Sequence, residues 1–165
     1  MKSPLLGLIA LLLILGVLAV LLRKGPRALG DPWPLEVRRT VLSPPEQILY
    51  RRLVQALPQN LIFAQVQLSR FLDVRRGVPR QTWFNRISQL SADFLVLHPD
   101  SSVVAAIELD DASHLRFSPR DADARKAHAL QSAGVKLIRW HVKDLPDEAA
   151  IRAVFAGVAT TERPS

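Results

Sequence analysis

Apolar positions are distributed along this chain in two ways. From Leu5 to Leu22 every residue is apolar or glycine, an unbroken run of 18 residues without a charged or polar side chain. As a helix it would reach about 27 Å, close to the hydrocarbon thickness of a bilayer. It also lacks the polar stripe of a helix packed on a soluble core. A cleaved signal peptide is the competing reading, but its apolar region is shorter and is followed closely by small residues at a cleavage site. Here the run ends in Arg23-Lys24, and Ala28-Leu29-Gly30 is a poor cleavage signal too far beyond it. The pattern predicts a transmembrane anchor over residues 1–22.

Beyond the run, apolar residues become periodic. Residues 23–40 read as a juxtamembrane linker, broken by Gly25, Pro26, Gly30, Pro32 and Pro34. Ser43-Pro44-Pro45-Glu46 has the residues of a capping box with proline at the first helical position, and Ile48, Leu49, Leu53 and Leu57 follow at helical spacing before Pro58. Leu61 to Leu68 alternates as a strand, with Ile62, Ala64, Val66 and Leu68 on one face. Residues 69–82 read as a basic loop leading into Trp83, Phe84, Asn85 and Arg86. Ala92 to Leu97 and Val103 to Leu109 are apolar on both faces, as central strands are. The short turn His98-Pro99-Asp100-Ser101-Ser102 makes them an antiparallel hairpin. A helix from Pro119 to Ala133 stopped by Gly134, a strand from Lys136 to Val142 and a last helix from Pro146 to Val158 complete the domain, 41–158. Residues 159–165 read as a flexible tail. The order helix, three strands, helix, strand, helix implies a mixed α/β sandwich.

Charge sharpens this picture. Lys2 alone precedes the apolar run, whereas Arg23, Lys24, Arg27, Arg38 and Arg39 follow it. Retention of positive residues on the cytoplasmic side predicts a single-pass protein of the inner (cytoplasmic) membrane with its domain facing the cytoplasm. Net charge is +7, which suits anionic lipid head groups, nucleic acid or simple solubility without choosing among them. There are no cysteines, which excludes disulfides and thiolate metal sites.

Candidate chemistry lies on the central hairpin. Glu108 and Asp110 share a strand face, and a turn centred on Asp100-Ser101 sets Asp93 directly opposite Glu108. A one-residue slip would break that arrangement. Facing carboxylates in so apolar a sheet need compensation, which a hard cation such as magnesium would supply. The plain alternative is that these acids merely end their strands in solvent. Arg75, Arg76, Arg80, Phe84 and Arg86 are candidates for meeting the phosphates and bases of DNA or RNA.

At these residues the sequence resembles an uncharacterised bacterial family, domain of unknown function 2726, over about residues 41–141. The carriers are Leu42-Ser43-Pro44-Pro45-Glu46, Phe84-Asn85-Arg86-Ile87-Ser88, Ala92-Asp93-Phe94, Ala106 to His114, Arg120-Asp121 and Ala133-Gly134-Val135. The most specific stretch runs from Ile107 to His114. That family is similar to the restriction-endonuclease-like PD-(D/E)XK superfamily, whose αβββαβ core has the element order read above. The resemblance implies magnesium held by Asp93 and Glu108, with Glu46 on the first helix in support. One departure is serious. The superfamily lysine two residues after the third-strand acid is Asp110 here. By resemblance to very-short-patch-repair endonucleases, which set acids beside a histidine, His114 is a candidate for the missing basic role, and Lys126 is another. The expectation is a membrane-anchored, magnesium-dependent nuclease, with Asp110 assisting. The alternative is a catalytically inactive nuclease-fold module that binds nucleic acid or a protein partner at the membrane.

Overall fold

A computed structural model of the protein describes residues 4–23, 33–110 and 120–158. The chain forms two compact units, Met1–Arg39 and Thr40–Ser165.

The first unit contains helix α1, Pro4–Arg23. Its described apolar side chains, among them Leu12, Leu13 and Ile14, are exposed. No helix among the described residues is long and apolar enough to cross a membrane. This corrects the transmembrane anchor in the expected fold class, and with it the single-pass, cytoplasm-facing placement. The 18-residue run lies at the short end of what a crossing takes.

The second unit is a mixed α/β domain. Its elements are α2 (Pro44–Ala56), β1 (Leu61–Gln67), a 3₁₀ turn (Leu68–Arg70), α3 (Arg80–Ile87), β2 (Ser91–Leu97), β3 (Val103–Asp110), α4 (Arg120–Ser132), β4 (Lys136–His141) and α5 (Glu148–Val158). The four strands form one sheet in the order β1-β2-β3-β4. The first two pairings are antiparallel, and β3 and β4 run parallel.

The α2 N-terminus is built as its sequence suggests. Ser43 is the N-cap of a capping box, and the Ser43 N–H donates to Glu46 Oε2 at 2.6 Å. Leu49, Leu53 and Ala56 recur at helical spacing and are buried. They pack with Ile151 and Phe155 of α5 over Phe94, Val96, Ala105, Ile107 and Ile138 of the sheet. Arg52 fixes the entry to α5, its Nη1 donating to the carbonyls of Leu145 (2.9 Å) and Pro146 (2.8 Å). On the other face, Leu95, Leu97 and Ala106 pack with Leu130 of α4, and Ile87 of α3 joins them. The domain therefore has three layers, with the central strands covered on both sides.

Three elements differ from their sequence expectation. Residues 80–87 form α3 inside the stretch expected as a basic loop followed by an aromatic segment. Its apolar residues Trp83, Phe84 and Ile87 have helical spacing, but so short a helix among arginines leaves little pattern to read. α5 begins at Glu148, not Pro146, because Asp147 accepts the Ala150 N–H at 2.8 Å in the manner of an N-cap. Val66 does not share a layer with Ile62 and Ala64. Those two pack toward α2 and α5, whereas Val66 packs on the α4 side. The cause lies at Gln65, whose φ of +53° puts a non-glycine residue in the left-handed region and interrupts the β1–β2 pairing.

The hairpin register follows the expected arithmetic. Phe94 pairs with Ile107, Leu95 with Ala106 and Val96 with Ala105, and the shift needed at the turn is confined to Val96/Leu97. Ser101, at φ +67°, makes the reversal. Phe94 is fully buried and its ring stacks at 6.3 Å on Tyr50 of α2. Phe94→Ala should cost about 3–5 kcal/mol of stability, to be measured by urea unfolding; a loss below 1 kcal/mol would show that this layer collapses around the cavity.

Candidate active site

With Phe94 opposite Ile107, Asp93 and Glu108 come next along β2 and β3, toward the end of the sheet where β2 begins and β3 finishes. Strand alternation turns Glu108 away from the Phe94–Ile107 layer, toward α4, whose Lys126 reaches it. Asp93 is half-buried, and its Oδ2 accepts the Leu109 N–H at 2.8 Å. Glu108 is only 6% exposed and is the buried charged residue of the described core.

α4 supplies the partner that burial of this carboxylate demands. Lys126 Nζ donates to Glu108 Oε2 at 2.5 Å, and both side chains are largely withdrawn from solvent. The second oxygen, Glu108 Oε1, is buried without a hydrogen-bond partner among the described residues. Burial pushes the Glu108 carboxyl up to about 7; the Lys126 hydrogen bond opposes this, and the nearby Asp93 charge adds to it. Asp93 is also raised, first by burial and further by Glu46, while the Leu109 N–H, Lys126 and Gln65 pull the other way.

Glu46 reaches this site indirectly. Its Oε2 takes the Ser43 N–H and its Oε1 takes the Gln65 amide at 2.7 Å. Gln65 lowers the Asp93 carboxyl only slightly against its burial. The left-handed kink in β1 thus lies at the side chain that ties β1 to α2. Sequence reasoning missed Gln65, although a lone amide between Ala64 and Val66 in an apolar strand is a faint signal.

Asp110 takes a different position. It is exposed and lies 3.8 Å from Arg139 Nη1. Arg139 is opposite Glu108 in the β3–β4 register and makes a two-pronged pair with Asp123 of α4, at 3.1 and 3.0 Å. Those partners raise the already high pKa of its guanidinium, the Asp123 hydrogen bond most. Arg139 was also missed; its signal is a cation among the apolar residues of Leu137-Ile138-Arg139-Trp140. His114 lies outside the described residues.

The expected nucleic-acid residues form a separate, exposed group. Arg75 Nη2 reaches the Ser132 carbonyl at 3.4 Å, and Arg76 is exposed. Arg80 lies 3.8 Å from Asp73 and 5.5 Å above the half-buried Phe84 ring. Arg86 lies 4.6 Å above Trp83, not on Phe84.

A model of the family described as "Protein of unknown function (DUF2726)" matches residues 38–158. The chain belongs to this family. No curated protein and no solved structure matches it. In this DUF2726 member the match takes in every element from α2 to α5.

Among the described residues no group of three or more histidines, aspartates and glutamates converges to hold a metal. Asp93 and Glu108 form a pair, with Glu46 engaged by Ser43 and Gln65. A pair still fits magnesium, which takes a few carboxylate oxygens and keeps several waters. The observation in favour is Glu108 Oε1, a buried carboxylate oxygen with no donor of its own among the described residues.

The shift at Glu108 has a consequence for stability. Folded protein holds this proton to about pH 7, whereas an unfolded glutamate releases it near 4.5. The stabilisation is fully present below pH 4.5 and is lost as pH rises through about 7. Metal-free protein should therefore lose roughly 3 kcal/mol from this group across that window, and Glu108→Gln should flatten the slope of unfolding free energy against pH. The same slope in the variant would contradict the assignment.

Proposed function

We propose that this protein is a metal-dependent phosphodiester hydrolase acting on nucleic acid, with Asp93 and Glu108 as metal ligands and Lys126 in the role of the lysine that Asp110 replaces. The reading rests chiefly on one observation: a lysine from α4 meets a buried glutamate on β3, beside an aspartate on β2. The order helix, three strands, helix, strand, with α3 inserted, agrees with the core that the family resemblance implies. Fold analogy alone does not assign a reaction, so the side chains carry the argument.

Each residue has a distinct task. The Leu109 N–H orients Asp93, and Glu108 Oε1, which has no donor among the described residues, would be the second carboxylate's oxygen on the metal. When bound, magnesium would supply Lewis acidity toward the phosphate and an activated water at neutral pH. Lys126 spends one Nζ–H on Glu108 and keeps two, enough to orient the attacking water or to meet charge growing on the phosphate. Arg139, tied to Asp123, holds a fixed positive charge at the exposed edge of the site.

A second reading has one observation in its favour. Lys126 already neutralises Glu108, as it would in a site that has lost catalysis and retains binding. That reading predicts nucleic-acid binding without turnover and with little dependence on magnesium.

Purified protein incubated with labelled DNA and RNA in magnesium should cleave one of them. Asp93→Ala and Glu108→Ala should abolish cleavage, and Lys126→Met should lower it by about 10²-fold or more. Magnesium should also raise the melting temperature of the parent protein but not of Glu108→Ala. Cleavage undiminished in Glu108→Ala would refute the proposal.

A further inference from the structure

Between Asp73 and Asp93 the chain has four arginines, Arg75, Arg76, Arg80 and Arg86, and no acid. α3 lies at the centre of this segment and buries none of its residues completely. Its largest side chain, Trp83, is 46% exposed. One helical turn on, the exposed Arg86 sets its guanidinium 4.6 Å from the Trp83 ring centroid. Among the described residues neither Arg76 nor Arg86 has a carboxylate partner, whereas Arg80 lies 3.8 Å from Asp73.

We propose that Trp83 and Arg86 form a stacking platform for an unpaired base, and that the ligand of this surface is single-stranded nucleic acid. This deepens the hydrolase reading and rests on it for the choice of nucleic acid as partner. Three features favour a strand. The segment is uniformly cationic, which a phosphate backbone complements. An aromatic ring with a guanidinium beside it offers both stacking and cation–π contact, and such contacts accept any base because every base has a π-face. In a duplex those faces are already covered by neighbouring bases, which leaves only backbone and groove edges for an exposed indole. Position is consistent as well. Ile87, next to Arg86, packs in the layer that contains α4, the helix of Lys126. α3 then leads within a few residues into β2, where Asp93 stands. A strand stacked on α3 therefore lies on the layer of the protein that holds the carboxylates.

The test is binding in EDTA, where no hydrolysis occurs. A fluorescent 20-nucleotide strand, as DNA and as RNA, and the matching duplexes are titrated with the full chain at several salt concentrations. The single strand should bind at least ten-fold more tightly than the duplex and quench tryptophan fluorescence. Trp83→Ala should weaken single-strand binding about ten-fold or more, Trp83→Phe should restore most of it, and Arg86→Ala should weaken binding and reduce its salt dependence. Equal affinity for strand and duplex, or unchanged binding by Trp83→Ala, would overturn the proposal and reduce the pair to a surface cation–π contact. Retained strand binding with no cleavage in magnesium would reject the hydrolase reading alone.

Discussion

Glu108 is buried on a strand covered from both sides, and its charge must be met within the protein. A carboxylate so placed either takes up a proton or acquires a positive partner. Both tendencies are visible. The pKa rises to about 7, and Lys126 is drawn from α4 onto one oxygen. Much else follows from that pairing. It ties α4 to β3, and it leaves the second oxygen with no donor among the described residues. A buried ion pair of this kind contributes little net stability.

The surroundings of the pair are organised to hold it. Asp93 is gripped by a main-chain N–H from the neighbouring strand, and Gln65 of β1 is anchored through Glu46 to the N-terminus of α2. Gln65 adopts a left-handed backbone conformation that costs a non-glycine residue on the order of 1 kcal/mol or more. Strain of this sort persists where the surrounding contacts over-determine it. On the opposite flank, Arg139 is held by Asp123 and attracts Asp110, which keeps that acid at the rim. Three acids read as one cluster in sequence therefore separate into a buried Glu108, a half-buried Asp93 and an exposed, arginine-bound Asp110.

Much of this was legible in sequence wherever the cause was local. The Ser43 capping box, the apolar faces of β2 and β3 and the five-residue turn between them depend on residues close together in the chain. Strand alternation then carried the register as far as Asp93 and Glu108. α3 was not legible, because eight residues hold too few turns to display a period among arginines. The apolar run at the N-terminus was legible as a helix, but hydropathy alone expected a membrane span that no helix among the described residues is long and apolar enough to make.

What the sequence determined by itself was the elements other than α3 and the 3₁₀ turn, the pairing of the central hairpin and the presence of an acid on each of its strands. Tertiary structure alone brought Lys126 to Glu108: the two are 18 positions apart, and the path of α4 across the sheet joins them. Likewise the Gln65–Glu46 hydrogen bond joins β1 to α2, which no local period relates. The physical reason is the same in both cases. Patterning of apolar residues encodes which face is buried, whereas the partner of a buried charge is chosen by where separate elements come to rest.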